Sequence, residues 1–208
     1  MTGLLLPEEF AGLVAVSRET MDRLRLYAEL LAKWTQRINL VAPASLGDVW
    51  RRHILDSAQL AAQLPATTAT LVDLGSGAGL PGLILAILGV PDVHLVESDT
   101  RKAAFLREAA RQTGTKVTIH ACRIDAVPPI AADAVTARAL ARLVILLEYA
   151  VRFVKPAGAC YFLKGASLVD ELTEARKSWH MKVTEFRSLS DVSGVVVKLE
   201  SIVRERHP

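Results

Sequence analysis

The stretch Leu71-Val72-Asp73-Leu74-Gly75-Ser76-Gly77-Ala78-Gly79-Leu80-Pro81-Gly82 constrains this chain more than any other. An apolar run ends in a glycine cluster and resumes as Leu83-Ile84-Leu85-Ala86-Ile87-Leu88, which reads as a buried strand, a tight turn and a helix that starts at the turn. Glycines let the backbone take positive φ and approach a ligand closely, and the free amides at a helix start attract a negative group. Pro81 suits the first helical turn. The stretch is therefore expected to hold a nucleotide-like ligand.

Two cofactor readings fit these residues. Gly77-Ala78-Gly79-Leu80-Pro81-Gly82 satisfies the G-x-G-x-x-G dinucleotide fingerprint, with Glu97 near the offset of a ribose-binding acid. The register Asp73-x-Gly75-x-Gly77-x-Gly79 instead resembles the first motif of class I S-adenosylmethionine-dependent methyltransferases, again with Glu97 on the ribose. The order of elements separates the two.

Residues 1–66 read as helical. Met21, Leu24, Ala28 and Leu31 repeat at helical spacing behind Ser17 as N-cap, and a second helix runs from Asp48 through Val49, Trp50, His53, Ile54, Ser57 and Leu60. They form an N-terminal helical cap packed on a Rossmann-like core, residues 67–208, the whole being one structural unit. From Leu71 strands and helices alternate, which predicts a parallel sheet with right-handed crossovers. Strands are expected from Leu71 and over 93–96, 116–121, 133–137 and 159–163. Helices are expected over 101–113, capped by Asp99 or Thr100 and stopped by Gly114, and over 140–153 and 167–179. Segments 182–189 and 195–204 have only a turn between them and should pair antiparallel. A seven-stranded, mostly parallel sheet whose last strands are antiparallel is the methyltransferase arrangement rather than the dehydrogenase one, and it points to S-adenosylmethionine.

At 208 residues the chain suffices for one such α/β domain with an appended segment. The apolar run Leu80 to Val90 is too short to cross a bilayer, and Met1 to Phe10 has no basic region ahead of its leucines, so a cytoplasmic protein is expected. Cys122 and Cys160 lie far apart with no His or Cys at ligand spacing, which predicts inert buried thiols and no metal. The formal charge of +3 permits nucleic-acid binding, and the excess is local: residues 152–187 carry seven Lys/Arg against four Asp/Glu, residues 1–66 seven of each.

Asn39-Leu40, Arg52-His53-Ile54-Leu55-Asp56-Ser57, the loop from Asp73 to Gly82, Arg138-Ala139 and Leu163-Lys164-Gly165 together resemble the glucose-inhibited division protein B family, the bacterial small-subunit ribosomal RNA methyltransferases G. The likeness runs from about Leu30 to Lys198, with departures at Thr35, where the family often has Asn, and Val41, where it often has Thr. It implies a class I methyltransferase fold and transfer of a methyl group from S-adenosylmethionine to N7 of a guanosine in 16S ribosomal RNA, within the small subunit, by a monomer that uses no metal or membrane. Gly75, Gly77, Gly79 and Leu80 would line the cofactor, Glu97 would take the ribose, Ile124 and Asp125 the adenine, and Arg138 would complete the pocket.

Arg138, Lys164 and His53 are candidates for positioning the acceptor. Lys164-Gly165 fits a substrate contact and a surface turn equally well. His53, Asp56 and Ser57 share one helix without a nucleophile elbow, which favours hydrogen bonds tying the cap to the sheet over a hydrolytic triad. Guanine N7 has an in-plane lone pair and no proton, so no general base is required. In agreement, Thr136-Ala137-Arg138-Ala139 lacks the Asn/Asp-Pro-Pro-aromatic motif of exocyclic-amine methyltransferases, and neither cysteine follows a proline in a strand-end loop as carbon-5 pyrimidine enzymes require. Trp34, Trp50, Arg37, Arg51 and Arg52 are available to stack RNA bases, although the tryptophans suit a core equally well. Other readings stand beside this one: a small-molecule methyltransferase with the same core, a cofactor-sensing RNA-binding protein without turnover, and a nicotinamide oxidoreductase.

Overall fold

In β1 (Thr70–Leu74) Leu71 faces one side of the sheet and Val72 and Leu74 the other, and all three are fully buried. A strand covered on both faces belongs at the centre of a parallel α/β sheet. The computed structural model describes residues 3–205, so the outer bounds 1 and 208 of the predicted segments lie outside the described residues. Among these, β2 (Asp92–Val96), β3 (Thr118–His120), β4 (Ala132–Arg138), β5 (Val154–Lys164), β6 (Trp179–Arg187) and β7 (Val195–Arg204) join β1 in the order β3-β2-β1-β4-β5-β7-β6. Only β7 runs antiparallel to its neighbours, as the missing helix before it predicts.

Helices α1 (Pro7–Leu13) and α2 (Arg18–Thr35) pack with α4 (Gly82–Ile87) and α5 (Thr100–Thr113) on the Leu71 face, whereas α6 (Leu143–Ala150) and α7 (Leu168–Ala175) cover the Val72 face. Ser17 Oγ accepts from Thr20 N at 3.2 Å and so caps α2, and Met21, Leu24 and Leu31 are buried along one side of it. Asp99 caps α5 through the amides of Arg101 and Lys102, and Gly114 ends it at φ +62°.

The second predicted helix is not a regular α-helix. The chain passes through a 3-10 segment (Pro43–Asp48), a π-helical turn (Trp50–Leu55) and a single α turn, α3 (Asp56–Ala58). In the widened turn Asp56 N reaches back to Arg51 O, Ser57 Oγ donates to His53 O, and Arg52 O accepts from Arg138 Nη1 at 3.1 Å. The irregular register thus occurs where the end of β4 docks on the cap. Two helices are shorter than predicted. Ala139 at φ +50° and an extended Arg142 delay α6 to Leu143, and α7 ends at Ala175 because Trp179, expected within it, opens β6 and is buried against the Val72 face. Pro81 stands just before α4 rather than inside its first turn.

Candidate active site

The glycine loop and the end of β2 form a cavity of about 350 Å³ at the carboxyl ends of the strands, where open α/β sheets bind ligands. Its walls include Gly75, Gly77, Glu97, Ile124, Asp125 and Leu140. Glu97 is 8% exposed, and its carboxylate is aimed by the backbone: Oε2 accepts from Gly77 N at 2.8 Å and Oε1 from Asp99 N at 2.7 Å. Each oxygen keeps a lone pair for a ligand donor. Gly77 takes φ +55°, and a Cβ there would meet only Gly75 O, at 3.8 Å, so this glycine serves backbone geometry and an open approach rather than packing.

Gly82 has a different duty. A Cβ there would lie 2.6 Å from Asp73 Cβ, and Gly82 N donates to Asp73 Oδ2 at 3.2 Å. Asp73 is fully buried and also accepts from Thr136 Oγ1 at 2.7 Å, so the acid of the motif braces the loop from beneath instead of meeting a ligand. Burial pushes its carboxyl up to about 6, against the pull of those hydrogen bonds. Tyr27, fully buried on α2, donates to Ala78 O at 2.7 Å and ties the cap to the same loop.

Beyond Ala139 and Leu140 lie two more cavities of about 460 and 560 Å³, which share Asp56, Arg138, Ala139 and Asp191. The Ala139-Leu140 pair also lines the first cavity and forms the wall between the two sides. Here side chains make the structure. Arg138 donates to Asp56 Oδ2 at 3.0 Å and approaches His53 Nδ1 at 3.2 Å, while His53 Nε2 lies 2.7 Å from Ser45 Oγ. Burial, then Arg138 and Arg52, push His53 down to about 4. It is therefore neutral, with Nδ1 accepting from Arg138 and Nε2–H donating to Ser45, whose hydroxyl passes on to Ala42 O. Asp56 Oδ1 in turn accepts from Ser190 Oγ at 2.6 Å, which joins the β6–β7 loop to the cap.

A family model described as GidB, rRNA small subunit methyltransferase G, matches residues 20–198. The chain belongs to this family. Methyltransferase G proteins of Rhodospirillum centenum and Rhodospirillum rubrum are 59% and 55% identical to it, over 93% and 95% of this chain and 90% and 98% of theirs. Its fold is that of class I S-adenosylmethionine-dependent methyltransferases: a Methanococcus maripaludis protein described as a putative S-adenosylmethionine-dependent methyltransferase aligns over 86% of this chain and 93% of its own, at 12% identity and a TM-score of 0.61.

In this member of the family the predicted site residues divide. Gly75, Gly77, Glu97, Ile124 and Asp125 line the first cavity, whereas Gly79 and Leu80 do not. Both of their amides are spent on Ser76 O, a Cβ on Gly79 would strike Leu83, and Leu80 is core. Arg138 faces the cap and not the first cavity. Lys164 is neither a free phosphate contact nor a surface charge but a buried ion pair, 2.6 Å from Glu171. Although burial opposes its charge, Lys164, Ser167 and the Leu143 amide hold the Glu171 carboxyl below its usual range. His53 ties the cap to the sheet through Arg138 as expected, whereas Ser57 bonds within the cap, to His53 O.

Trp50 is buried against Phe10 and presents no free face for a base, whereas Trp34 is half-buried and packs at an angle against Phe105. Cys160 is buried as expected, but Cys122 is half-buried and lines the first cavity. Sequence reasoning missed Arg152, which donates to the carbonyls of Ile124, Asp125 and Val127 and holds that turn in place. Nothing in a lone arginine on an amphipathic stretch announces such a role.

Proposed function

We propose that this chain transfers the methyl group of S-adenosylmethionine to N7 of a guanosine in 16S ribosomal RNA. Family membership supplies the reaction class, and one observation carries the site: Glu97, aligned by two backbone amides, stands in a cavity that meets a second cavity at the Ala139-Leu140 wall. The donor set suits the cofactor. Glu97 would accept from both ribose hydroxyls, the turn held by Arg152 would bracket the adenine through Ile124 and Asp125, and Gly77 would let the chain pass close to the ligand. When bound, the cofactor supplies an electrophilic methyl group on a sulfonium.

The chain's own contribution is then placement. An acceptor nitrogen with a lone pair and no proton needs no base, and His53 has both ring nitrogens engaged and is held neutral. Holding two reactants in line supplies roughly 7–11 kcal/mol, which side chains fixed by ion pairs and backbone bonds can deliver. We further propose that the protein acts in the cytoplasm, as a monomer without metal, and on the assembled small subunit rather than on naked RNA.

The test is one reaction containing purified protein, S-adenosylmethionine and unmethylated small subunits, followed by nucleoside mass spectrometry. A gain of 7-methylguanosine is expected. No methylated nucleoside, with cofactor binding intact, would overturn the assignment, and equal rates on naked RNA would overturn the preference for subunits.

A further inference from the structure

Four carboxylates line the two cavities beyond the Ala139-Leu140 wall: Asp48, Asp56, Glu171 and Asp191. In three of them each carboxylate oxygen has at least one protein partner. Asp48 pairs with Arg51 at 3.3 Å and accepts from Leu5 N, Asp56 takes Arg138 on one oxygen and Ser190 and Gln59 on the other, and Glu171 takes Lys164 and Leu143 N on one and Ser167 on the other. Asp191 differs. Its Oδ1 accepts from the amide and hydroxyl of Ser193, both at 2.8 Å, and its Oδ2 has no partner among the described residues. Arg52 is the cation nearest in effect, yet it makes no ion pair with Asp191.

Asp191 is also held where it matters. It lines both cavities, and its loop is braced against the cap by Ser190 Oγ on Asp56 at 2.6 Å, by Leu189 N on Gln59 Oε1 at 2.8 Å, and internally by Gly194 N on Asp191 O at 3.0 Å. The Ser193 bonds keep its carboxyl ionised, below the usual range. An ionised carboxylate only accepts hydrogen bonds, and the Watson–Crick edge of guanine offers two adjacent donors, N1–H and the exocyclic amine. Adenine presents an acceptor at N1 instead.

We propose that Asp191 reads the acceptor guanine, its Oδ2 accepting hydrogen bonds from both N1–H and the 2-amino group. This deepens the methyl-transfer reading above and rests on it. That edge is remote from N7, so holding it on the Asp191 loop leaves N7 free to face the Ala139-Leu140 wall and the cofactor cavity behind it. Arg138 and Lys164, which the sequence offers for this task, are already committed to Asp56 and Glu171.

The decisive variant is Asp191→Asn, which retains an oxygen for Ser193 while turning an amine towards the two guanine donors. Expected are unchanged binding of S-adenosylhomocysteine by calorimetry and a fall in kcat/KM on unmethylated small subunits of about 100-fold, since a site built to pair a polar edge rejects a mismatched one strongly. A second measurement needs no turnover. Guanosine 5′-monophosphate should bind the parent protein about tenfold more tightly than inosine 5′-monophosphate, which lacks the 2-amino group, and the two should be equal on the variant. Near-parental kcat/KM in Asp191→Asn, or equal binding of the two nucleotides by the parent, would overturn the assignment of Asp191. A parent that binds guanosine 5′-monophosphate selectively but forms no 7-methylguanosine would instead overturn the methyl-transfer reading.

Discussion

The two sides of the Ala139-Leu140 wall are built from different materials. On the cofactor side the polar groups are aimed by backbone: the amides of Gly77 and Asp99 on Glu97, and the carbonyls of Ile124, Asp125 and Val127 on Arg152. On the other side they are aimed by side chains of distant elements, in the His53–Arg138–Asp56–Ser190 chain and the Lys164–Glu171 pair. The first construction depends on a few conformations that only glycine adopts readily. The second depends on charges that are matched, so it fails when one partner is removed.

If this division holds, damage should stay on its own side. Glu97→Ala should weaken S-adenosylhomocysteine binding by about 100-fold or more, because two charge-assisted hydrogen bonds are lost, as calorimetry can verify. Arg138→Ala leaves Asp56 without its cation in a site where both side chains are under a fifth exposed, and about 2 kcal/mol of stability should be lost in urea titrations. Cofactor affinity should survive in that variant, and a tenfold loss would break the comparison.

The pH response sharpens it. His53 has a folded value near 4 against 6.5 ordinarily, so the folded protein binds fewer protons over that interval; its contribution is complete above pH 6.5 and is lost as pH falls towards 4. Asp73, raised from 3.8 to about 6, acts in the opposite sense and stabilises as pH falls through that window. The variant His53→Gln should therefore lose less stability between pH 7 and pH 5 than its parent, measured by urea titration at the two values. The smallest effect is expected from Gln59→Ala, which removes the bonds to Ser188 and Leu189 and should cost about 1 kcal/mol, with faster amide exchange confined to the β6–β7 loop.

The same division governs what a sequence reader sees. The strand order and the first cavity follow from local signals: alternating apolar runs, the Asp73 to Gly82 spacing, and Glu97 at the end of the next strand. Even there the motif does not tell which glycine serves what. Gly77 faces open space, while Gly79 and Gly82 are small because Leu83 and Asp73 crowd them. The other side was legible as a list of residues and not as contacts. Arg138 reads as a pocket residue at a strand end until the π-helical turn places Asp56 and the Arg52 carbonyl in front of it. Tertiary packing likewise claimed Trp50, offered for base stacking, and it shortened the helices whose ends lacked caps.

The bonds from Gln59 and Asp56 to the β6–β7 loop join residues 129 to 134 positions apart. Synthesis proceeds from the N-terminus, and folding on the ribosome follows it. Every residue that lines the first cavity has been translated by Tyr149, whereas the second side waits for the segment from Ser188 to Val195. Vectorial synthesis thus sets an order of maturation. A growing chain gathers the pieces of its first pocket early and stays without a completed second one until β6 and β7 emerge.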